Sequence, residues 1–166
     1  MAERPIAHAD LVRQVLRNPL HWPAFGFGFG LMPFAPGTWG SLPGIALWWL
    51  LPKDIYLQAG VAVAGFWLGI WLCGESARRI GVHDHGGIVW DEIIGMFLTL
   101  MVLPATADPL WVLVAFILFR ITDIWKPWPI RELDHRLGGG LGIMLDDVVA
   151  ALYAALMLLF LNRIIF

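Results

Sequence analysis

The sequence predicts an all-α fold, a polytopic bundle of helices embedded in a membrane. Of its 166 residues 59% are apolar and 14% are charged, and the chain contains ten Trp and ten Phe. Soluble domains are about 45 to 50% apolar and about 25% charged, so this composition indicates lipid as the solvent. At about 20 residues per crossing, the apolar runs predict four to five spanning helices in a single domain, residues 1–166. The net charge of −2 lacks the basic excess that a nucleic-acid partner requires.

The N-terminal segment, residues 1–20, combines arginines with an apolar stripe. The stripe lies on one helical face and consists of Leu11, Val12, Val15 and Leu16. A helix of this kind lies along the membrane interface with its arginines toward anionic headgroups, or it packs as an ordinary surface helix on the loops. The sequence leaves both alternatives open.

A stretch rich in glycine and proline follows at residues 25–44. So many helix breakers predict irregular backbone, which is tolerated at membrane depth where protein or water covers it. Thr38 and Ser41 would then contact a polar ligand, or the stretch is a re-entrant turn that lets helices approach. A helix from Ser41 to Leu51 would be about 16 Å long, against a hydrocarbon core of about 30 Å. The first segment is therefore predicted to be short or re-entrant.

Clearer spans come later in the chain, and the basic residues predict their orientation. These spans are predicted at residues 55–73, 88–103, 110–125 and 143–165. If the first segment crosses, eight of the eleven Lys and Arg residues share one side. Those eight are Arg4, Arg13, Arg17, Arg78, Arg79, Lys126, Arg131 and Arg136. If it does not cross, the two sides carry equal numbers, so the sequence favours five crossings with the N-terminus and both long loops in the cytoplasm.

Acidic residues gather at the cytoplasmic ends of the predicted helices. They are Asp84, Asp91, Glu92, Asp123, Asp146 and Asp147. Ionised groups inside a membrane are costly and mark function. Carboxylate oxygens from several helices suit Mg²⁺, which keeps part of its shell for water and phosphate oxygens. Adjacent acids on a helix diverge by about 100°, so one of each adjacent pair is expected to bind metal while the other orients a partner.

Basic residues in the same region would neutralise phosphate oxygens. They are Arg120, Lys126 and Arg131. Arg120 and Asp123 are spaced i, i+3, so a purely structural ion pair is the alternative for these two residues.

These polar residues belong to long, ordered motifs. The motifs are Pro-Gly-Thr-Trp-Gly-Ser at 36–41, His-Asp-His-Gly at 83–86, Ile-Val-Trp-Asp-Glu at 88–92, Phe-Arg at 119–120, Asp-Ile-Trp-Lys-Pro-Trp-Pro-Ile at 123–130 and Gly-Gly-Leu-Gly-Ile-Met-Leu-Asp-Asp at 139–147. In sequence and order they resemble the bacterial phosphatidylglycerophosphatase A family. The resemblance runs from about Gly26 to the C-terminus.

The resemblance implies a multi-pass, Mg²⁺-dependent lipid phosphatase of the bacterial inner membrane with its active site on the cytoplasmic side. Its substrate would be phosphatidylglycerophosphate, and its products would be phosphatidylglycerol and inorganic phosphate, in the step before cardiolipin synthesis. The attacking group is an activated water or an aspartate that becomes phosphorylated, and both remain open. The number of metal ions and the oligomeric state are also undecided.

With that activity, each candidate residue has a hypothetical role. The metal ligands would be Asp91, Glu92, Asp123, Asp146 and Asp147, of which Asp91 and Asp123 are also catalytic candidates. Asp84 or His83 would be the general acid or base. The substrate-binding residues would be Lys126, Arg120, Arg131, Thr38 and Ser41.

Two other classes of protein also place carboxylates in a membrane. A lipid phosphotransferase would share the metal and the topology, but the Asp-Gly-x-x-Ala-Arg pattern of such enzymes is missing from the sequence. A small transporter would bind its substrate near the bilayer midplane, often with repeat symmetry, whereas here the acids gather at one end and no repeat is visible. Release of free phosphate without a second lipid product would separate these classes.

Overall fold

The computed structural model describes residues 8–81, 85–104, 106–128, 130 and 137–165. Within these ranges all regular structure is helical, which confirms the predicted all-α class. The helices are α1 (His8–Arg17), α2 (His21–Ala24), a 3-10 helix (Gly26–Leu31), α3 (Pro36–Leu50), α4 (Ile55–Ile80), α5 (Trp90–Leu100), α6 (Pro109–Trp125) and α7 (Gly139–Ile165).

Helix α5 lies at the centre of the bundle. It packs against α3, α4, α6 and α7, and eight of its 11 residues are buried. Phe97 and Leu100 of α5 and Phe119 of α6 are fully buried in the main core cluster. A helix of 11 residues is only about 16 Å long. Because protein surrounds α5, its short length leaves no backbone exposed to lipid.

The described helices include fewer membrane spans than the sequence predicts. Two of them, α4 and the stretch Gly139–Ile164 of α7, are long and apolar enough to cross a membrane. The predicted span at 88–103 contains the 11-residue α5, while α6 has 17 residues and α3 has 15. The prediction of four to five spans is therefore wrong by this criterion. An apolar run in the sequence indicates that a segment is buried, but it does not show what covers it. The residues of α5 are buried by other helices.

Helix α4 nevertheless carries a large apolar surface. Trp67 and Trp71 are 68% and 58% exposed. Val63, one helical turn before Trp67, and Leu68, directly after it, are exposed as well. Such a face is compatible with contact to lipid acyl chains.

The prediction of irregular backbone over residues 25–44 is wrong from residue 36 onward. Gly26–Leu31 is a 3-10 helix interrupted at Phe27 and Gly28, but a regular α-helix begins at Pro36. Pro36 lies in the first turn, where the missing N–H of proline has no intrahelical partner. Pro43 lies inside the helix, which continues past it to Leu50. Local helix breakers therefore do not prevent α3 from forming.

Packing against α5 explains the glycines of α3. Gly37, Gly40 and Gly44 recur at helical spacing, and a Cβ added at Gly40 would overlap the side chain of Val89. A Cβ added at Gly44 would lie 2.5 Å from the carbonyl oxygen of Ile93. Small residues at this spacing let two helix backbones approach closely.

Helices α1 and α2 cover the C-terminal end of α4. Leu11 and Val15 are buried in a cluster with Leu72 of α4, and Nδ1 of His21 lies 2.6 Å from Oγ of Ser76. The buried face of α1 therefore packs against protein, which is compatible with both alternatives for this helix. The orientation of α1 toward a membrane surface remains a prediction.

Gly140→Ala is expected to lower the free energy of unfolding by about 1 to 3 kcal/mol, because overpacking forces the backbone to shift. The added Cβ would overlap the carbonyl oxygen of Ile70, so α4 and α7 would have to separate. Denaturant unfolding in detergent micelles measures the change.

Gly60→Ala on α4 is the matched control. Nothing lies within 4 Å of a Cβ at this position, so the better helix propensity of Ala should raise stability by up to about 1 kcal/mol. Equal effects of the two substitutions would contradict the close α4–α7 packing.

Candidate functional site

Four helices bring their polar residues together at one end of the bundle. A Cβ on Gly37 would overlap Oε1 of Glu92 and lie 3.0 Å from Nη2 of Arg120. The first turn of α3, the first turn of α5 and the end of α6 are therefore in direct contact. Lys126, just after α6, binds Asp146 of α7. The first turns of α3 and α5 thus meet the C-terminal part of α6 and the third turn of α7, which begins at Gly139.

Asp91, Glu92 and Asp147 form a carboxylate cluster. Each contributes one oxygen, and these oxygens lie within 4.8 Å of one another. Asp91 is 9% exposed and Asp147 is 2% exposed. Oε2 of Glu92 and Oδ2 of Asp147 are buried and have no hydrogen-bond partner among the described residues. Carboxylates this close repel one another strongly where water is excluded, so the cluster favours the binding of a cation.

The start of α5 is a favourable place for negative charge. Asp91 and Glu92 lie in its first turn, where unpaired backbone N–H groups and the helix dipole stabilise anions. Both residues reach the cluster, although the sequence led us to expect that one of them would be directed to another partner. On α7 the two neighbours do diverge, since Asp147 joins the cluster and Asp146 faces Lys126.

Two ion pairs flank the carboxylate cluster. Nη1 of Arg120 lies 2.7 Å from Oδ2 of Asp123, and both side chains are 13% exposed. Nζ of Lys126 donates to Oδ2 of Asp146 at 2.6 Å. The ion pair proposed as the alternative for Arg120 and Asp123 is thus present. Asp123 also lies close enough to interact with the carboxylate of Asp147, so it belongs to the site as well.

Lys126 adopts an unusual backbone conformation. It caps α6 with φ of +43°, in the left-handed region, where glycine is the common residue. Other residues are strained there by about 1 to 2 kcal/mol. This turn places the ammonium group against Asp146, and backbone strain of this kind is typical of functional positions.

The first turns of α3 supply small and hydroxyl residues. Oγ of Ser41 donates to the carbonyl oxygen of Gly37 at 2.9 Å and lies 3.5 Å from Nη1 of Arg120. Thr38 is half-buried and lines a cavity together with Arg120. Sequence reasoning selected Thr38 and Ser41 but missed Gly37, which would have been indicated by its helical spacing with Gly40 and Gly44.

Three predicted site residues are not placed by the structure. His83, Asp84 and Arg131 lie outside the described residues. Their roles as general acid or base and as a phosphate ligand stay predictions.

The donor set of the carboxylate cluster fits a hard divalent cation. Mg²⁺ takes oxygen ligands octahedrally and is held by few protein carboxylates, which leaves positions for water and phosphate oxygens. Arg120 and Lys126 lie beside the cluster and are oriented by their own carboxylate partners. The arrangement can therefore hold a divalent cation and a phosphate group next to each other.

Glu92→Gln is expected to raise the free energy of unfolding by roughly 1 kcal/mol in chelator-treated protein, because it removes one of several repelling buried charges. Mg²⁺ should stabilise the wild type by mass action and should stabilise the variant far less. Thermal unfolding in detergent, with chelator and then with increasing Mg²⁺, measures both effects.

Glu75→Gln on the surface of α4 is the matched control. Glu75 binds Arg78 and Arg79, so its substitution should leave the Mg²⁺ response intact and should not raise stability. A wild-type protein that is indifferent to divalent cations would contradict a metal role for the cluster.

Comparison with known proteins identifies relatives of this chain. A family model described as phosphatidylglycerophosphatase A matches residues 22–162, a region that contains the whole carboxylate cluster. The chain is 50% identical over 161 residues to phosphatidylglycerophosphatase A of Escherichia coli (strain K12), covering 94% of this chain and 92% of that protein. It is 48% identical over 143 residues to phosphatidylglycerophosphatase A of Haemophilus influenzae, covering 85% of this chain and 87% of that protein. No solved structure is significantly similar to the chain.

Proposed function

Because the chain belongs to the phosphatidylglycerophosphatase A family, we propose that it is a phosphoric monoester hydrolase that acts on phosphatidylglycerophosphate with Mg²⁺ as its cofactor. The products are phosphatidylglycerol and inorganic phosphate. The observation that carries the proposal is the meeting of three carboxylates with Arg120 and Lys126 at one end of the bundle. Enzymes that transfer phosphoryl groups act mainly through positioning and charge stabilisation, which such a site supplies.

Asp91, Glu92 and Asp147 are the residues that would hold the metal. The buried oxygens of Glu92 and Asp147 that lack partners within the described ranges support this assignment. When bound, Mg²⁺ supplies Lewis-acid polarisation of a phosphoryl oxygen.

Arg120 and Lys126 hold the phosphate group of the substrate. Each cation is already oriented by a carboxylate, Asp123 or Asp146, so little rotamer freedom is lost when substrate binds. Donors aimed at the phosphoryl oxygens stabilise the charge that they carry in the transition state. Asp123 and Asp146 are thus positioning residues for these cations, and Asp123 additionally contributes negative charge near Asp147.

The protein is assigned to the bacterial inner membrane, with the site on the cytoplasmic side. The length and apolar character of α4 and α7 support the membrane. The cytoplasmic side is proposed from the count of Lys and Arg, which favours that side when the first segment crosses. A phosphomonoester headgroup would then reach the site from the membrane surface. The continuous helices α5 and α7 that carry the cluster also argue against a transporter, whose site is typically formed by broken helices.

The wild-type protein in detergent micelles should release inorganic phosphate from phosphatidylglycerophosphate with Mg²⁺ and should stop when the metal is chelated. Asp147→Asn should lower kcat by a factor of roughly 100 or more, as loss of a central electrostatic group does. Asp123→Asn and Asp146→Asn should also leave a folded protein with little activity, because Arg120 and Lys126 lose their orienting partners.

Asp10→Asn in the exposed first turn of α1 is the control and should retain wild-type turnover. Phosphate release without a second lipid product separates hydrolysis from phosphotransfer. If folded wild-type protein releases no phosphate, the proposed activity is wrong. If all three site variants keep near-normal turnover, the assignment of these residues to the site is wrong.

A further inference from the structure

Helices α3 and α6 border a groove on the surface of the bundle. Helix α3 packs mainly on α5, and α6 packs mainly on α7, so α3 and α6 contact each other little. Two open cavities of about 550 and 450 Å³ lie along this seam and share Phe116 as a common wall. We call their combined length the α3–α6 groove.

The α3–α6 groove is apolar along its length and polar at one end. Its apolar walls include Leu42, Ile45, Leu113, Ile117 and Ile121. Apart from the indole groups of Trp49 and Trp125, the polar side chains in its described lining are Thr38 and Arg120. Both lie toward the end where the carboxylate cluster is found, because Gly37, next to Thr38, contacts Glu92 and Arg120.

The length of the groove corresponds to one leaflet of a bilayer. From Pro109 to Arg120, both of which line it, the axis of α6 rises by about 16 Å at 1.5 Å per residue. Half of a hydrocarbon core about 30 Å thick is about 15 Å. A chain that fills the groove would therefore span the leaflet whose headgroups lie at the Arg120 end.

Arg120 connects the groove to the site. Its guanidinium binds Asp123, but its Nε is buried and has no hydrogen-bond partner among the described residues. Arg120 also lines the groove, so a phosphate at this end of the groove would lie beside the guanidinium.

We propose that the α3–α6 groove binds an acyl chain of the phospholipid substrate and so aligns its headgroup phosphate with Arg120 and the carboxylate cluster. This inference rests on the proposed function and names the path by which its substrate binds. Lipid tails are as apolar as the groove walls, so the groove adds little hydrophobic stabilisation beyond that of the bilayer. Its contribution is to orient the substrate, which should appear as selectivity for acylated over deacylated substrate.

Ile117→Trp and Ile121→Trp test the groove. These residues are 46% and 47% exposed, so the larger ring enters the groove without displacing the core. The ratio of kcat/KM for the diacyl substrate to kcat/KM for its deacylated headgroup, glycerophosphoglycerol phosphate, should fall about tenfold in each variant, as a loss of substrate alignment predicts. Leu156→Trp on the exposed face of α7, 57% exposed and away from the groove, should leave this ratio unchanged.

The two proposals fail in different ways. If the wild type releases no phosphate from the diacyl substrate, the proposed function fails. If the wild type is active and the Ile117→Trp and Ile121→Trp ratios equal that of Leu156→Trp, the groove proposal alone is overturned.

A second measurement uses a phospholipid phosphomonoester with a photoactivatable diazirine in one acyl chain. Crosslinks should be recovered in peptides of α3 and α6, and crosslinks confined to α4 and α7 would overturn the proposal. It would also be overturned if both groove variants change the mass of the detergent-solubilised particle and lower activity on the two substrates equally. That result would mean that a second copy of the chain covers the groove.

Discussion

Repulsion among the largely buried carboxylates of Asp91, Glu92 and Asp147 governs how charge is arranged at this end of the bundle. Their oxygens lie within 4.8 Å of one another at one end of an apolar bundle, where charges are weakly screened. The first turn of α5 offsets part of the repulsion because a helix N-terminus favours anions. Arg120 and Lys126 neutralise the neighbouring aspartates. The negative charge that remains on the cluster favours a divalent cation, and a phosphate would be held through that cation and through Arg120 and Lys126.

Close helix packing keeps these groups in position. Gly37 brings the first turn of α3 against Glu92 and Arg120. Gly95 does the same inside the core, since a Cβ there would lie 2.7 Å from Cζ of Phe119, and Gly140 joins α7 to α4. Small residues are an effective way to associate helices where lipid removes the hydrophobic driving force. Because α3 packs mainly against α5 and only slightly against α6, the same packing leaves the α3–α6 groove open as far as Arg120.

Two predictions from the sequence are wrong for related reasons. The glycines and prolines of residues 36–44 predict irregular backbone, yet α3 is helical from Pro36 because its glycines face another helix and their contacts outweigh their poor propensity. The apolar run at 88–103 predicts a membrane span, yet α5 is an 11-residue helix enclosed by protein. Local sequence patterns indicate the preferred backbone conformation and whether a residue is buried. They do not indicate whether another helix or lipid covers the buried surface.

Sequence patterns alone predict the helical class, the family and the placement of acids near the ends of particular helices. Which of these acids meet depends on the packing of the helices: Asp91, Glu92 and Asp147 share one cluster, whereas Asp146 is directed to Lys126. Helix packing also brings Gly37 against the site and leaves few contacts between α3 and α6. The physical reason is that a side chain's direction depends on how each helix is rotated about its axis. That rotation is set by packing among residues far apart in the chain, such as Gly44 against Ile93 and Gly140 against Ile70.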